Sequence, residues 1–499
     1  MDKLSDQVTS LRWLNSMRAY GVLLVLVYHF FPAVLPGGFV GVDIFFVVSG
    51  YLITSLLIRE FESSGKLKLL DFYRRRWRRL FPAILVMLLV FVALSLLISP
   101  DFRVDITRQS AAALSWMTNS YELAMGQSYE AQLLPHLFIH TWTLSIEMQY
   151  YLIWGAIVFA VLLVFGLVGR ATKRPGGSSS QKSSSVSGSQ KSSSGSGSQN
   201  ELAGTSTNRS LLLRVTLAAI AVVLATISVV AMQNAAAGVR DPSVAYLSTL
   251  SHLFPLMIGS MFACFGGFAP YKPQLSAPVF KPVSLVVIAL GVATLAFVAL
   301  TFSFQDPRTY QFGILLVSLV AAAILYLARL WQDLSSKPEW RFTNYVGLRS
   351  YSIYLYHWPL MIIATQLAQQ LGAAPAVAAL WAGAFGIPLT FLAAELSYRW
   401  VEQPFRVRRR SEREDNLAGK HGSASSKLTG KHELASKLQP LLIAKISTVV
   451  LLCILSIGAF MSAPQITSIE ASLRQGAQSL SISNIENAYE RTQQEVAHE

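Results

Sequence analysis

The sequence predicts an all-α polytopic membrane protein, a ten-helix body followed by an eleventh spanning helix. Three observations predict it. Hydrophobic residues make up 53% of the 499-residue chain and charged residues only 14%, where a soluble chain carries about 25% charged residues. Mean hydropathy is positive, +0.44. The apolar residues gather in runs of about 20, the length a helix needs to cross the hydrocarbon core. The same composition excludes disordered, collagen-like and disulfide-rich classes. The two cysteines, Cys264 and Cys453, sit inside apolar runs and read as small buried hydrophobes.

Eleven segments qualify as spans: 17–35, 39–58, 80–98, 145–168, 211–232, 247–268, 282–302, 312–330, 351–370, 377–398 and 441–462. The first carries Arg18 and His29 and ends at Phe31-Pro32 without a small-residue cleavage site, so it is a span and not a signal peptide. The second opens with Asp43 and contains Ser49-Gly50, small residues suited to close helix packing. The third follows the arginine row Arg74-Arg75-Arg76-Trp77-Arg78-Arg79. The fourth is entered through Ser145, Glu147, Gln149 and Tyr151, more polar groups than a helix cap needs. In the ninth, Tyr alternates with Ile and Leu as in a strand, but a lone strand cannot satisfy its backbone in lipid, so helix is expected. Pro404 closes the tenth.

Charge fixes an expected orientation. With the N-terminus in the cytoplasm, the inside segment 59–79 holds eight Lys/Arg and 399–440 holds ten, while the outside segment 463–499 holds two against five acids. That is the positive-inside pattern, and it accounts for the +14 net charge without nucleic acid. An odd number of spans puts the C-terminus outside a cell membrane. The expected organisation is a body over 1–406 with a flexible Ser/Gly-rich cytoplasmic loop at 171–210, a charged cytoplasmic linker at 407–440, the eleventh helix at 441–462, and a short extracellular tail at 463–499.

Ionisable groups at membrane depth are costly and are functional by default. His29 lies eleven residues after Arg18, about 16 Å along a helix, which places it within the bilayer as a candidate acid/base. Asp43 could orient His29 or a substrate hydroxyl, or serve as a helix N-terminal charge. Arg76 and Arg79 are one turn apart and share a helix face; paired guanidinium groups suit phosphate. No CxxC pair is present and no metal is expected, and neither a GxSxG elbow nor a P-loop occurs. A transporter of a sugar or lipid-linked precursor is the alternative expectation for such polar-lined helices.

These strings, in order and spacing, resemble the acyltransferase-3 family of integral membrane acyltransferases. They are Arg18 with Tyr28-His29-Phe30; Gly41-Val42-Asp43-Ile44-Phe45-Phe46 through Ser49-Gly50-Tyr51; the arginine row closing on Leu80-Phe81-Pro82-Ala83; His140-Thr141-Trp142 through Ser145-Ile146-Glu147; Ser350-Tyr351 through His357-Trp358-Pro359; and Ser397-Tyr398-Arg399 through Glu402-Gln403-Pro404-Phe405. The resemblance covers 1–406. It implies transfer of an acetyl group from cytosolic acetyl-CoA to a hydroxyl of a cell-envelope carbohydrate. It implies that Arg18 and His29 line the transfer site, and that Arg75, Arg76 and Arg79 hold coenzyme A. Trp142, Ser145, Glu147, Gln149, Tyr151, Tyr246, His357 and Trp358 would then receive the acyl group and hand it on.

The eleventh span and outside tail are similar to peptidoglycan O-acetyltransferases of Gram-positive bacteria. Those continue into an esterase-like domain of the SGNH type. No Gly-Asp-Ser block follows residue 463 here, so a truncated form or an extracellular esterase-like partner is expected. Two strings depart from the family pattern: Glu147-Met148-Gln149 stands for Glu-Glu-Gln, and Leu247 and His252 replace a Tyr and an Arg in the string that begins at Tyr246.

Overall fold

The computed structural model describes residues 12–126, 129, 136–171, 196–266, 280–334, 341–405, 447–468 and 470–475. Among these there are helices and turns and no strand. The linker expected at 407–440 lies outside them, as does the tail beyond 475. Of the loop expected at 171–210, residues 172–195 lie outside, and 196–210 form the first part of a helix.

Each expected span overlaps a helix among the described residues. In chain order these are α1 (Arg12–Phe30), α2 (Gly41–Ser64), α3 (Leu69–Leu94), the short α4 (Ile106–Leu114) and α5 (Thr118–Met125), α6 (Trp142–Ala171), α7 (Ser196–Ala236), the one-turn α8 (Ser243–Leu247), α9 (Phe254–Gly266), α10 (Phe280–Thr301), α11 (Ile314–Leu334), α12 (Arg341–Gln370), α13 (Pro375–Trp381), α14 (Ile387–Ser397) and α15 (Ser447–Met461). Seven helical stretches among the described residues are long and apolar enough to cross a membrane, and α9 and α15 are shorter apolar helices. The chain is an all-α polytopic membrane protein.

The chain divides into two compact units. The first comprises Met1–Arg79, Glu122–Glu130 and Trp142–Tyr354. Its centre is α2, which packs against α1, α6, α9 and α11. Close approach depends on glycine. A Cβ on Gly50 would lie 1.9 Å from the Leu256 carbonyl oxygen, and one on Gly259 would lie 2.1 Å from that of Val47. Backbone therefore meets backbone where α2 and α9 cross, so the packing expected of Gly50 is what it does. Gly347 likewise lets α12 meet α1, where a Cβ would lie 2.0 Å from the Asn15 carbonyl oxygen and Asn15 Nδ2 donates to Asn344 Oδ1 at 2.7 Å. Gly50→Ala or Gly259→Ala is expected to destabilise the protein by at least about 1–3 kcal/mol through overpacking. Thermal unfolding in detergent checks this; an unchanged midpoint would show that the crossing relaxes freely.

The second unit comprises Leu80–Tyr121, Ala131–Thr141 and Leu355–Glu499. Here α15 lies along the distal part of α3: Ser456 Oγ donates to the Leu89 carbonyl at 3.1 Å, and Ala459 is fully buried. Past the helix, Ser468 donates its backbone N–H to Asp101 at 2.7 Å and its hydroxyl at 2.5 Å. The eleventh helix is thus docked on its unit rather than merely tethered to it.

Candidate active site

The first unit brings together side chains from α2, α3 and α6. Ser49 Oγ donates to Glu147 Oε1 at 2.5 Å. The Tyr151 hydroxyl, one turn further along α6, donates to the same oxygen. The titratable groups in electrostatic reach of Arg76 are Arg79, Tyr151, Arg75 and Glu147, and Arg79 also reaches Tyr151. Registry explains the meeting. Tyr73 OH donates to the Leu152 carbonyl at 2.8 Å, so the next turn of α3, carrying Arg76, comes level with the turn of α6 around Glu147 and Tyr151. The packed helices thus bring the arginines, expected at the opposite end of a span from Glu147, within electrostatic reach of it.

The arginine row is not uniform. Arg75 is an ion pair with the buried Glu60, Nη2 to Oε2 at 2.6 Å, and Arg74 reaches Asp71 at 3.8 Å. The Nε atoms of Arg76 and Arg79 are buried and make no hydrogen bond among the described residues. Arg76 lies over the Phe72 ring, 5.6 Å from its centroid. Two adjacent guanidinium groups with buried donors to spare form a site that favours an anion. Those donors fit the phosphates of a coenzyme A thioester, and the half-buried Glu147 beside them is a base within reach of two hydroxyls.

A second cluster surrounds Asp43, which is fully buried in the first turn of α2. Its Oδ1 is 2.7 Å from His252 Nε2, and His252 Nδ1 is 2.6 Å from the Tyr246 carbonyl. A carbonyl only accepts, so Nδ1 carries a hydrogen. The pair then shares one further proton between Nε2 and Oδ1 and is neutral overall, which is how such groups tolerate complete burial. Around His252 stand the rings of Tyr246 at 4.8 Å, Phe46 at 5.4 Å and Trp142 at 5.5 Å. Asp43 Oδ2 and Trp142 Nε1 are buried without a hydrogen bond among the described residues. Asp43 thus sits in the first turn of α2 with His252 as its side-chain partner.

Arg18 and His29 lie on α1, both half-buried. Eleven residues is close to three helical turns, so they share a face. The helix ends at Phe30, which puts His29 in its last turn. Gly21 faces Gly41 and Phe45 on the antiparallel α2. Counting residues in both directions from that crossing sets His29 about 20 Å from Ser49 along the helix axes, with Arg18 close to the Ser49 level. His29 and the Glu147 cluster are two separate stations.

The remaining candidates divide between the units. Ser145 is buried, and Gln149 accepts from Thr249 Oγ1 at 2.5 Å. His357 and Trp358 belong to the second unit, where the His357 ring is 5.7 Å from that of His140 and Trp358 Nε1 donates to the His136 carbonyl at 3.0 Å. No group of three or more His, Cys, Asp or Glu that could hold a metal occurs among the described residues. Sequence reasoning did not single out His252 or Glu60 as site residues, nor the bond from Ser49 to Glu147; the replacement of an expected arginine by His252 was the one available signal.

A family model described as an acyltransferase domain, Acyl_transf_3, matches residues 11–398. The chain is 29% identical over 405 residues to the peptidoglycan O-acetyltransferase OatA of Listeria monocytogenes, an alignment covering 79% of this chain and 55% of that protein. It is 29% identical over 398 residues to the O-acetyltransferase OatA of Staphylococcus aureus strain NCTC 8325, covering 79% and 57%. A putative O-acetyltransferase of Staphylococcus aureus strain COL is 28% identical over 400 residues, covering 79% and 57%. The chain thus spans little more than half the length of these relatives. No solved structure matches it. Matched by that family model over most of its length, the chain belongs to the acyltransferase-3 family.

Proposed function

We propose that this chain is a membrane O-acyltransferase that takes an acetyl group from cytosolic acetyl-CoA and delivers it, across a cell membrane, to a hydroxyl of a cell-envelope carbohydrate, with peptidoglycan as the acceptor. The observation that carries the reading is the Arg76–Arg79 pair with its unbonded, buried Nε atoms beside Glu147 and Tyr151. A pathway for a neutral solute has no need of two such arginines. An acyl thioester bearing phosphates does, because the phosphates bind the guanidinium groups while Glu147 manages the proton of the transfer. Arg75, already neutralised by Glu60, contributes less.

The charge asymmetry of the loops supports a cytoplasmic N-terminus and an outside C-terminus. It sets the arginine row toward the cytoplasm and His29, with the Asp43–His252 pair, toward the outside. The Listeria monocytogenes relative, named as a peptidoglycan O-acetyltransferase, supports the acceptor. The last transfer to glycan then falls to an esterase-like extracellular domain supplied by a partner or by further chain.

The test uses the purified chain in liposomes with acetyl-CoA on one side, following free thiol. Thiol release is expected from the wild type. Arg76→Ala and Arg79→Ala are each expected to raise the KM for acetyl-CoA about 10–100-fold, the value of a charge-assisted hydrogen bond, with a smaller effect on a donor lacking the nucleotide phosphates. Absence of thiol release, or arginine variants with unchanged KM, would sink the donor assignment.

A further inference from the structure

Ser49 differs from the buried hydroxyls that bond back to their own helix. Ser260 bonds back to the Leu256 carbonyl, Ser318 to that of Ile314 and Thr390 to that of Gly386, each at 2.7–2.8 Å. This is the usual fate of a helical Ser or Thr in an apolar setting. Ser49 instead turns its hydroxyl away from its own helix and donates it to a carboxylate on α6. The helix that carries it cannot easily rotate, since the next residue, Gly50, is pressed against Leu256. The Tyr151 hydroxyl on the same Glu147 oxygen restrains the carboxylate from the other side. A hydroxyl bonded to a base that is itself held in place, with a guanidinium close by, is the arrangement of an activated nucleophile.

We propose that Ser49 is the residue that carries the acyl group, with Glu147 as its base and Arg76 stabilising the charge that develops on the acyl oxygen. The proposal rests on the acyl-thioester donor reading above. Ser49 Oγ attacks the thioester carbonyl carbon and a C–O bond forms. Glu147 takes the hydroxyl proton. The C–S bond breaks, and the proton passes from Glu147 to the departing thiolate. The products are a Ser49 acyl ester and a free thiol. Tyr151 is the poorer resting place, because a phenyl ester lies near a thioester in energy while an alkyl ester lies below it. Arg18, near the Ser49 level on α1, adds positive charge at the same depth.

The experiment incubates the full-length purified chain in liposomes with isotope-labelled acetyl-CoA and no glycan, then maps the label by peptide mass spectrometry. The expected result is one acetyl group per chain on Ser49, lost in Ser49→Ala, with thiol release falling at least 100-fold. Ser49→Cys is expected to keep the label as a thioester cleaved by neutral hydroxylamine, whereas the wild-type ester requires alkaline hydroxylamine. The cysteine variant keeps the test decisive should the alanine variant fail to fold. Label on Tyr151, His29 or any other residue overturns the proposal, as does wild-type thiol release by a folded Ser49→Ala. Thiol release by the wild type with no label also overturns it while leaving the donor reading in place. Neither release nor label removes the donor reading and this proposal together.

Discussion

Glu147→Gln is expected to slow thioester cleavage and acyl transfer about 10²–10⁴-fold, the range of general acid–base catalysis, in a protein that still folds into the membrane. The amide has nearly the shape of the carboxylate, and its carbonyl oxygen can still accept from Ser49 and Tyr151, so the packing of α2 against α6 survives. What disappears is a group that can take a proton. Loss of the negative charge beside Arg76 and Arg79 leaves that pair more positive, so the donor phosphates are bound at least as well as before. The signature is therefore a large fall in kcat with an unchanged or lower KM for acetyl-CoA, opposite to the signature of the arginine variants. Glu147→Asp, shorter by about 1.5 Å, should recover part of the rate. Steady-state thiol release in liposomes measures all three. A Glu147→Gln variant with kcat within tenfold of wild type would remove Glu147 from the chemistry.

The helices were legible in the sequence and the pairings were not, for a physical reason. A span declares itself locally, through some 20 apolar residues between charged flanks, and each expected segment from 17–35 to 441–462 overlaps a helix among the described residues. The strings Asp43 to Tyr51 and Trp142 to Tyr151 also announced polar groups where lipid should exclude them. Which of those groups touch depends on helix registry, which glycine contacts set. Gly50 and Gly259 fix α2 against α9, and with α2 fixed, Ser49 meets a carboxylate 98 positions away. The same packing joins Asp43 to His252 across 209 positions. Small-residue packing was foreseen for both Ser49 and Gly50; only Gly50 does it, and adjacent residues on a helix face different partners. Arg75 looked equivalent to Arg76 because the sequence does not show that Glu60 folds back onto it.

His29→Ala is expected to separate the two halves of the reaction. The Glu147 station and His29 lie about 20 Å apart along α1 and α2, too far for His29 to act on the thioester held at Arg76 and Arg79. The first equivalent of thiol release, and acylation of the protein, should therefore persist in His29→Ala, while acetylation of an acceptor supplied on the opposite side falls about 10²–10⁴-fold through loss of its acid/base group. Acylated protein should accumulate, because the group enters and cannot leave. An aromatic wall on the same side, Tyr28 at 5.0 Å from His29 and Tyr28 to Phe39 at 5.4 Å, continues through Tyr246 to the Asp43–His252 pair, whose single shared proton gives that end of the bundle a second group able to give or take one. His29 is half-buried in a terminal turn, so alanine there leaves the crossing at Gly21 and Gly41 intact and membrane insertion unchanged. The decisive comparison is thiol released against acceptor acetylated, measured in one preparation. Loss of the first equivalent of thiol together with acceptor acetylation would place His29 in the donor step and merge the two stations into one, which at this separation would require α1 to move against α2 during each turnover.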